Sequence, residues 1–238
     1  MDTETTMKEI ALSHPAVART LDRLQINYCC NSGGKLSLAE ACQNANQNAD
    51  AVLAQLKLAQ GQPTQEPTWD PTSPSDLIRH ILATHHAFTR SELDRLDKLV
   101  NKIVERHAEA RPELKEIGEC YRALCDDLSP HLMKEENILF PYIEALEKHR
   151  HGDAPMPAAC FGSIENPLRQ MHSEHEAVTA ILTRMRQLTN GYTPPADVCT
   201  SYRTTLQSLE ALEADLLRHI ELENDVLFPQ ARELAGSS

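Results

Sequence analysis

Two stretches of this chain repeat one arrangement of metal-ligating residues. His131 is followed four positions later by Glu135, His219 is followed in the same way by Glu223, and each pair leads into the tripeptide Leu-Phe-Pro. Residues four apart lie on one face of a helix. Imidazole and carboxylate groups are common ligands of transition-metal ions. The repeat therefore predicts two helices that present matched ligands to a metal centre.

Each pair is preceded, at a similar distance, by one further histidine. His86 lies before His131, and His175 lies before His219. The residues around the two histidines are loosely alike, since both are followed within four positions by Ala and Thr. We interpret this as two related helical hairpins, each with one histidine on its first helix and a His-x₃-Glu pair on its second.

All of these candidates fall on helix positions that are otherwise apolar. The inward positions predicted from steps of three and four are Leu124, Leu128, His131, Glu135, Ile138 and Tyr142 on the second long helix, Leu168, Met171, His175, Val178, Leu182 and Met185 on the third, and Leu212, Leu216, His219, Glu223, Val226 and Gln230 on the fourth. On the first, His86 lies between Leu82 and Leu93 on the corresponding face.

A buried carboxylate requires a partner, because burying an isolated charge costs several kcal/mol or more. No Lys or Arg occupies the predicted inward positions, so two buried glutamates indicate a bound cation. A single histidine on an apolar face is usually an ordinary core residue, and a single His-x₃-Glu is often a surface pair. Six such residues in two equivalent sets fit neither reading.

The composition of the ligand set favours iron, with manganese less suited. Four histidines and two glutamates exceed what one tetrahedral zinc ion needs. Shared between two ions, they leave coordination positions open, and the glutamates are the natural bridges. Ferritin-type di-iron bundles use Glu-x-x-His, with the glutamate first and a spacing of three, so that class is disfavoured.

The overall composition indicates an all-α protein and excludes several partners. Of 238 residues, 41% are hydrophobic and only 4% aromatic, and the net charge is −12. An acidic chain lacks the broad basic surface that nucleic acids or anionic membranes require. No apolar run is long enough for a transmembrane helix, and no leader pattern opens the chain, so a cytoplasmic location is expected. Seven cysteines without a Cys-x-x-Cys pattern indicate reduced thiols.

Breaks in the helical pattern divide the chain into three regions. Residues 1–60 form a small helical module, in which Ser13 and Ser37 are predicted helix caps and Ser37 has capping-box spacing to Glu40. Residues 61–74 hold four prolines and read as a linker. Residues 75–238, opened by Ser75 as a predicted cap, form an up-down-up-down four-helix bundle. Its helices are predicted at about 75–107, 112–148, 163–190 and 195–233. Pro141 and Pro229, at the end of the two Leu-Phe-Pro tripeptides, are predicted to kink the second and fourth of these helices, as a bend that closes the end of the bundle and not as part of the chemistry.

The chain resembles the Repair of Iron Centers family, of the ScdA, YtfE, DnrN and NorA type. A repeated His-x₃-Glu pair ending in Leu-Phe-Pro is similar to that family's hemerythrin-like domain, and Tyr28-Cys29-Cys30 with Gly33-Gly34-Lys35 and Leu38 to Cys42 is similar to its short amino-terminal domain. One departure is visible, because Asn31-Ser32 separates the cysteine pair from the glycines where many relatives have none.

The resemblance implies a function as well as a fold. It implies a non-haem, oxo- and carboxylate-bridged di-iron site on His86, His131, Glu135, His175, His219 and Glu223, and it favours His86 over His80 or His85. It further implies repair of iron–sulfur clusters damaged by nitrosative or oxidative stress, by supplying iron. Damaged iron–sulfur proteins would be the partners, and nitric oxide or oxygen the small ligands.

Several alternatives stay open at this point. The same centre could scavenge or reduce nitric oxide, or act as a redox or nitric oxide sensor, and whether the protein is an enzyme is undecided. Cys29 and Cys30 are a candidate thiol pair, with two structural thiols as the plainer reading. Glu174 is a candidate to support a ligand histidine. Both a monomer and a homodimer are compatible with the sequence.

Overall fold

The computed structural model describes residues 1–28, 33–61 and 69–236, and in these ranges it is helical without a β-strand. The predicted all-α class is thereby confirmed. The amino-terminal region has four short helices, α1 (Met7–Ser13), α2 (Pro15–Arg23), α3 (Leu38–Asn44) and α4 (Ala49–Gly61). Their apolar faces form one core that includes Ile10, Leu21, Leu38 and Leu56.

Side-chain caps set where these short helices begin. The capping box of Ser37 with Glu40 is confirmed, and a second one joins Thr6 to Glu9 at the start of α1. The predicted cap at Ser13 is wrong, because His14 caps α2 through a hydrogen bond from the Ala16 amide to its ring nitrogen at 3.2 Å. The proline that follows His14 fits the first helical position, where no amide donor is needed.

Four long helical segments make up the rest of the described chain, and three of them contain one π-helical turn. The first runs through α5 (Pro74–Ile81), a π-turn (Leu82–His86) and α6 (Ala87–His107). The second runs through α7 (Glu113–Lys134), a π-turn (Glu135–Leu139) and α8 (Phe140–Arg150). The third is α9 (Glu165–Leu188), and the fourth runs through α10 (Thr200–Glu221), a π-turn (Leu222–Leu227) and α11 (Phe228–Leu234).

The first of these segments begins slightly earlier than predicted. Ser73, and not Ser75, caps α5, since its hydroxyl oxygen accepts the Asp76 amide at 3.3 Å and Pro74 takes the first helical position. The hydroxyl of Ser75 instead contacts the buried carboxylate of Glu147. That carboxylate also accepts the hydroxyl of Ser73 at 3.0 Å, which ties the start of α5 to α8.

The π-turns explain how prolines are accommodated inside continuous helices. One phenylalanine separates each π-turn from Pro141 or Pro229. The amide of that phenylalanine bonds five residues back, from Phe140 to the Glu135 carbonyl and from Phe228 to the Glu223 carbonyl. A proline lacks the amide that an ordinary α-turn would use. The kinks predicted at these prolines are therefore seen as one widened turn each, with the helix continuing beyond.

A π-turn adds a residue to the turn, and this shifts the inward face by one position. Ile138 and Tyr142 were predicted to point inward. Ile138 is 46% exposed and Tyr142 is half-buried, and Leu139 and Ile143 are buried in their place. In the third π-turn and α11, Leu227 and Ala231 are buried in place of Val226 and Gln230, which are half-buried.

The first long segment shows the same discrepancy. Leu82 and Leu93, expected on either side of His86, are both half-buried. The helix without a π-turn behaves as the spacing predicts: the buried residues of α9 are Leu168, Met171, His175, Val178, Leu182 and Met185.

The chain divides into two compact units. Each of the four long helical segments contributes residues to both of them. The first comprises Met1–Gln65, Arg95–Lys115 and Arg186–Ala211, and the second comprises Glu66–Asp94, Glu116–Met185 and Leu212–Ser238. Within the first unit, an ion pair of 2.6 Å joins Asp22 of α2 to Arg95 of α6.

The second unit has its own core of aliphatic and aromatic side chains, including Leu77, Leu139, Phe140, Leu168 and Phe228. The boundaries predicted at residues 60 and 75 stay a prediction, and residues 62–68 of the linker lie outside the described ranges. Among the described helices, none is long and apolar enough to cross a membrane.

Candidate metal centre

The second compact unit gathers all six predicted ligands at one level. His86 ends the first π-turn, Glu135 opens the second and Glu223 is the second residue of the third, while the other three histidines lie in regular α-helix. The six side chains are buried, with 0 to 3% of their surface exposed. Three of the four helices therefore widen where they present a ligand, as π-turns often do at functional sites.

The ligand atoms form two groups that share both carboxylates. One group, here called the 86/219 position, consists of His86 and His219 with Glu135 and Glu223. The other, the 131/175 position, consists of His131 and His175 with the same two glutamates. Within each group the ligand atoms lie within 4.8 Å of one another, which is close enough for a single ion to contact all four.

Each imidazole turns its Nε2 atom toward a shared carboxylate. The distances to Glu135 are 3.1 Å from His131 and 3.4 Å from His86. Those to Glu223 are 3.0 Å from His219 and 3.1 Å from His175. The Nε2 atoms of His86 and His219 are themselves only 3.2 Å apart.

The opposite ring nitrogens of three histidines have oxygen partners. Nδ1 lies 2.7 Å from Glu136 in His86, 2.9 Å from Glu174 in His131 and 3.0 Å from the side-chain oxygen of Asn224 in His175. An oxygen acceptor at Nδ1 assigns the ring proton to that nitrogen. The Nε2 atom of each ring then points into the centre, where its lone pair is available to a metal ion, as in metal-ligating histidines.

This arrangement leaves electron-rich atoms facing one another. The four carboxylate oxygens of Glu135 and Glu223 are buried and accept no hydrogen bond among the described residues, and Nε2 of His175 is likewise without a hydrogen-bond partner. Lone pairs about 3 Å apart repel unless a proton or a cation lies between them. The donor set therefore fits bound cations.

Without a cation, protons take its place. Burial alone would lower the pKa of His131, but the carboxylates of Glu135 and Glu223 raise that pKa to about 9. The pKa of His219 is raised against burial for the same reason, by Glu223 and Glu135. Burial would raise the pKa of Glu223, yet His219 and His175 hold it well below its usual value. Protons and a metal ion thus compete for one set of atoms.

Two of the supporting carboxylates are paired with surface cations. Glu136 accepts a hydrogen bond of 2.7 Å from Arg90, and Glu174 contacts Lys134 and accepts a hydrogen bond of 2.7 Å from Gln170. Although burial would raise their pKa values, these partners lower both. Both carboxylates therefore stay ionised and hold the proton of their histidine on Nδ1.

Aromatic rings cover the centre in the same repeated manner. Phe140 lies against His86 with 5.6 Å between ring centroids, and Phe228 stacks on His175 at 6.0 Å. Each phenylalanine is the one in a Leu-Phe-Pro tripeptide, which ties that motif to the centre. The motif was interpreted from the sequence as a bend alone, whereas it also shields the ligand rings from water.

The supporting residues show what sequence reasoning missed. Glu174 was a candidate, and the structure places it on His131. Glu136 and Asn224 were not candidates, although each directly follows a shared glutamate in the sequence, and that position in the repeat was the available signal. His85 was considered only as a rival to His86, and it lies beside the centre with its Nδ1 atom 3.0 Å from Asp215.

The candidate thiol pair, Cys29 and Cys30, lies outside the described residues. The five described cysteines are free thiols, as the sequence predicted, and none of them belongs to either ligand group. Cys42 is buried, as expected for a small apolar side chain, whereas Cys160 is exposed.

Comparison with known proteins agrees with this geometry. Residues 77–231 match the hemerythrin HHE cation binding domain, and residues 3–60 match ScdA_N, a domain of unknown function (DUF542). The chain is 34% identical over 228 residues to the iron-sulfur cluster repair protein YtfE of Escherichia coli O1:K1 / APEC and to that of Escherichia fergusonii, with 96% of each chain covered. The YtfE protein of Escherichia coli O81 (strain ED1a) is 33% identical over the same length.

Proposed function

The chain belongs to the family of hemerythrin HHE proteins that includes the iron–sulfur cluster repair protein YtfE, and from this we propose that it repairs damaged iron–sulfur clusters by donating iron. The observation that carries the proposal is the pair of ligand groups that share two buried carboxylates. Such a pair suits two iron ions bridged by Glu135 and Glu223. Each ion would then have two imidazoles of its own.

The chemistry of the ligand set supports a store from which iron can leave. Imidazole and carboxylate hold ferrous iron without the thiolates that bind softer ions tightly. Two imidazoles and two shared oxygens leave coordination positions free on each ion. Those free positions would be the route by which an acceptor, or a small ligand such as nitric oxide, reaches the iron.

The surrounding residues keep the ligands ready for reloading. Glu136 and Glu174 fix the ring orientations of His86 and His131. Each of the two carboxylates is paired with a partly exposed basic side chain, Arg90 for Glu136 and Lys134 for Glu174. The phenylalanines of the Leu-Phe-Pro tripeptides keep water from the ligand rings. Because the ligands are held in place by packing, the site would not have to be rebuilt after each donation.

The proposal is tested by following iron from the protein into a damaged enzyme. The protein is loaded anaerobically with ⁵⁷Fe(II) and incubated with a [4Fe–4S] enzyme that nitric oxide has inactivated. Recovered enzyme activity and Mössbauer spectra of the separated proteins are then measured. We expect activity to return as ⁵⁷Fe appears in the acceptor's cluster.

Two variants make this experiment specific. Glu135→Leu removes an oxygen ligand from both ligand groups and should abolish both iron loading and repair. Glu210→Leu removes an exposed carboxylate from α10 and should leave both unchanged. Repair by metal-free protein, or by the Glu135 variant, would refute iron donation. Nitrous oxide formed with turnover and without cluster repair would instead support a nitric oxide reductase.

A further inference from the structure

The internal repeat extends from the ligands to the residues that support them. Glu174 directly precedes His175, and by the repeat its counterpart is His85, which directly precedes His86. Glu136 directly follows Glu135, and its counterpart, Asn224, directly follows Glu223. All four counterparts lie beside a ligand histidine in the structure, so the repeat is one of spatial position as well as of sequence.

The two halves of the repeat differ in charge at these positions. In one half of the repeat Glu174 forms an ion pair with Lys134. In the other half the position of Glu174 is taken by His85 and that of Lys134 by the buried Leu222. Leu222 directly precedes Glu223, as Lys134 directly precedes Glu135. A carboxylate in the place of His85 would thus have no cation corresponding to Lys134, and the chain has an imidazole there.

This difference leaves one ligand histidine without an acceptor. The ring of His85 stacks on that of His219, with centroids 5.7 Å apart and planes at 6°. Its Nδ1 atom lies 3.0 Å from Oδ1 of Asp215, four residues before His219, and Oδ2 of that carboxylate is buried without a hydrogen-bond partner among the described residues. Within the described parts of the chain, Nδ1 of His219 has no hydrogen-bond acceptor, whereas His86, His131 and His175 each have one.

The two ligand groups are therefore supported unequally. At the 131/175 position both imidazoles are oriented, one by the carboxylate of Glu174 and one by the amide of Asn224. At the 86/219 position only the Nδ1 atom of His86 has such an acceptor, the carboxylate of Glu136, whereas the His219 ring is held by stacking on His85. Acceptors of this kind fix the ring and raise its basicity, and the loss of one typically lowers metal affinity by about 10- to 100-fold.

We propose that the 86/219 position binds iron more weakly than the 131/175 position and is the one from which iron is delivered. His85 is the positioning residue responsible, because it stands where a carboxylate would support His219. This inference rests on the proposed function for the delivery step only. The 131/175 position would retain its ion. That ion would keep the shared carboxylates of Glu135 and Glu223 ordered until the 86/219 position is reloaded. The unequal positions would make the protein a donor of one iron per cycle.

The inequality is tested by iron release, without any cluster acceptor. Protein loaded with two ferrous ions is mixed anaerobically with an excess of a ferrous chelator, and release is followed by absorbance. We expect two phases whose rates differ by about 10- to 100-fold. Mössbauer spectra of protein loaded first with one equivalent of ⁵⁷Fe and then with ⁵⁶Fe should show the first ion in a single environment.

A variant that restores the symmetric carboxylate identifies the positions. His85→Glu places a carboxylate beside His219, and Asp215→Asn in the same protein removes the charge that would oppose it. The fast phase should slow toward the slow one, while Asp215→Asn alone and Ala83→Glu, which adds a charge on the exposed side of the same π-turn, should not slow it. Glu174→Gln, which weakens the other position, should instead accelerate the slow phase.

The outcomes separate this inference from the proposed function. A single release phase in the unaltered protein, or a double variant that slows only the slow phase, would overturn the proposed difference in iron affinity between the two positions. Neither result would contradict iron donation itself. Two phases that respond as expected, in a protein that restores no damaged cluster, would support the inequality and refute repair. If the double variant does not fold, the response of the slow phase to Glu174→Gln decides, since an effect on the fast phase alone would contradict the assignment.

Discussion

The stability of the metal-free protein should fall as the pH rises from about 6 to above 9. In the folded metal-free protein the pKa of His131 is raised to about 9, against an ordinary value of 6.5. A raised pKa means that the folded state binds this proton more tightly than the unfolded state does. The resulting stabilisation is fully present below pH 6.5 and is lost as the pH rises through 9.

The size of the effect follows from that difference in pKa. Burial, which disfavours the charged ring, is outweighed by the carboxylates of Glu135 and Glu223. The net preference for the proton corresponds to roughly 3 kcal/mol. For a chain of this length, a loss of that size should lower Tm by about 6 to 12 °C. His219 has its pKa raised in the same direction and adds to the decrease.

The opposite slope is expected in acid. The pKa of Glu223 is held well below 4.5 because the attraction of His219 and His175 exceeds the cost of burial. The stabilisation it provides is present above pH 4.5 and is lost as the pH falls through the lower folded value. Metal-free protein should therefore be most stable between about pH 4.5 and 6.5, on the acid side of neutrality.

Calorimetry on metal-free protein between pH 4 and 10 measures this directly. His131→Gln should remove much of the decrease above pH 6.5, whereas His151→Gln, at an exposed position, should not change it. Iron-loaded protein should lack the decrease, because the metal ion replaces the proton. A Tm of the metal-free protein that stays constant or rises from pH 6 to 9.5 would refute the reasoning, as would a His131→Gln variant with the full decrease.

Three further predictions concern other parts of the chain. Phe140→Ala removes a buried ring that covers a ligand imidazole, so it should destabilise the protein by about 3 to 5 kcal/mol in denaturant titrations, and a loss below 1 kcal/mol would contradict its place in the core. Gly33→Ala would bring a methyl group against the Asn27 carbonyl, and a loss of about 1 to 3 kcal/mol is expected, whereas unchanged stability would show that the contact relaxes freely. Serine at both Cys29 and Cys30 should leave iron content at the level of the unaltered protein, because six other residues form the two ligand groups, and reduced iron by metal analysis would show that a thiol is a ligand.

Much of the fold and of the ligand set could be predicted from local sequence. The spacing of apolar residues in α9 predicted each of its buried positions, because an uninterrupted helix repeats every 3.6 residues. The capping box of Ser37 with Glu40 was recognisable for a similar reason, since it involves only four consecutive residues. The repeat likewise predicted that His131 and Glu135 share a helix face.

Prediction failed where one residue was added to a turn. Beyond Glu135 and Glu223 the buried positions moved by one, from Ile138 to Leu139 and from Val226 to Leu227. The prolines that follow were the local sign, but they indicated a kink as readily as a π-turn. Which of the two forms depends on whether the helix beyond it can bury its apolar side chains, and that is a property of the packed bundle.

The sequence by itself determined which residues could bind a metal, because residue type and helical spacing are local. Only the tertiary structure decided how they are shared, since the two groups that include both glutamates draw on four separate helices. It also decided which histidines are supported. Glu136, Glu174 and Asn224 each hold a histidine more than 40 positions away in the chain, and His85 leaves His219 without such a partner. Contacts of that kind arise from packing: the repeat marks the positions of the supporting residues, but not which histidine each of them supports.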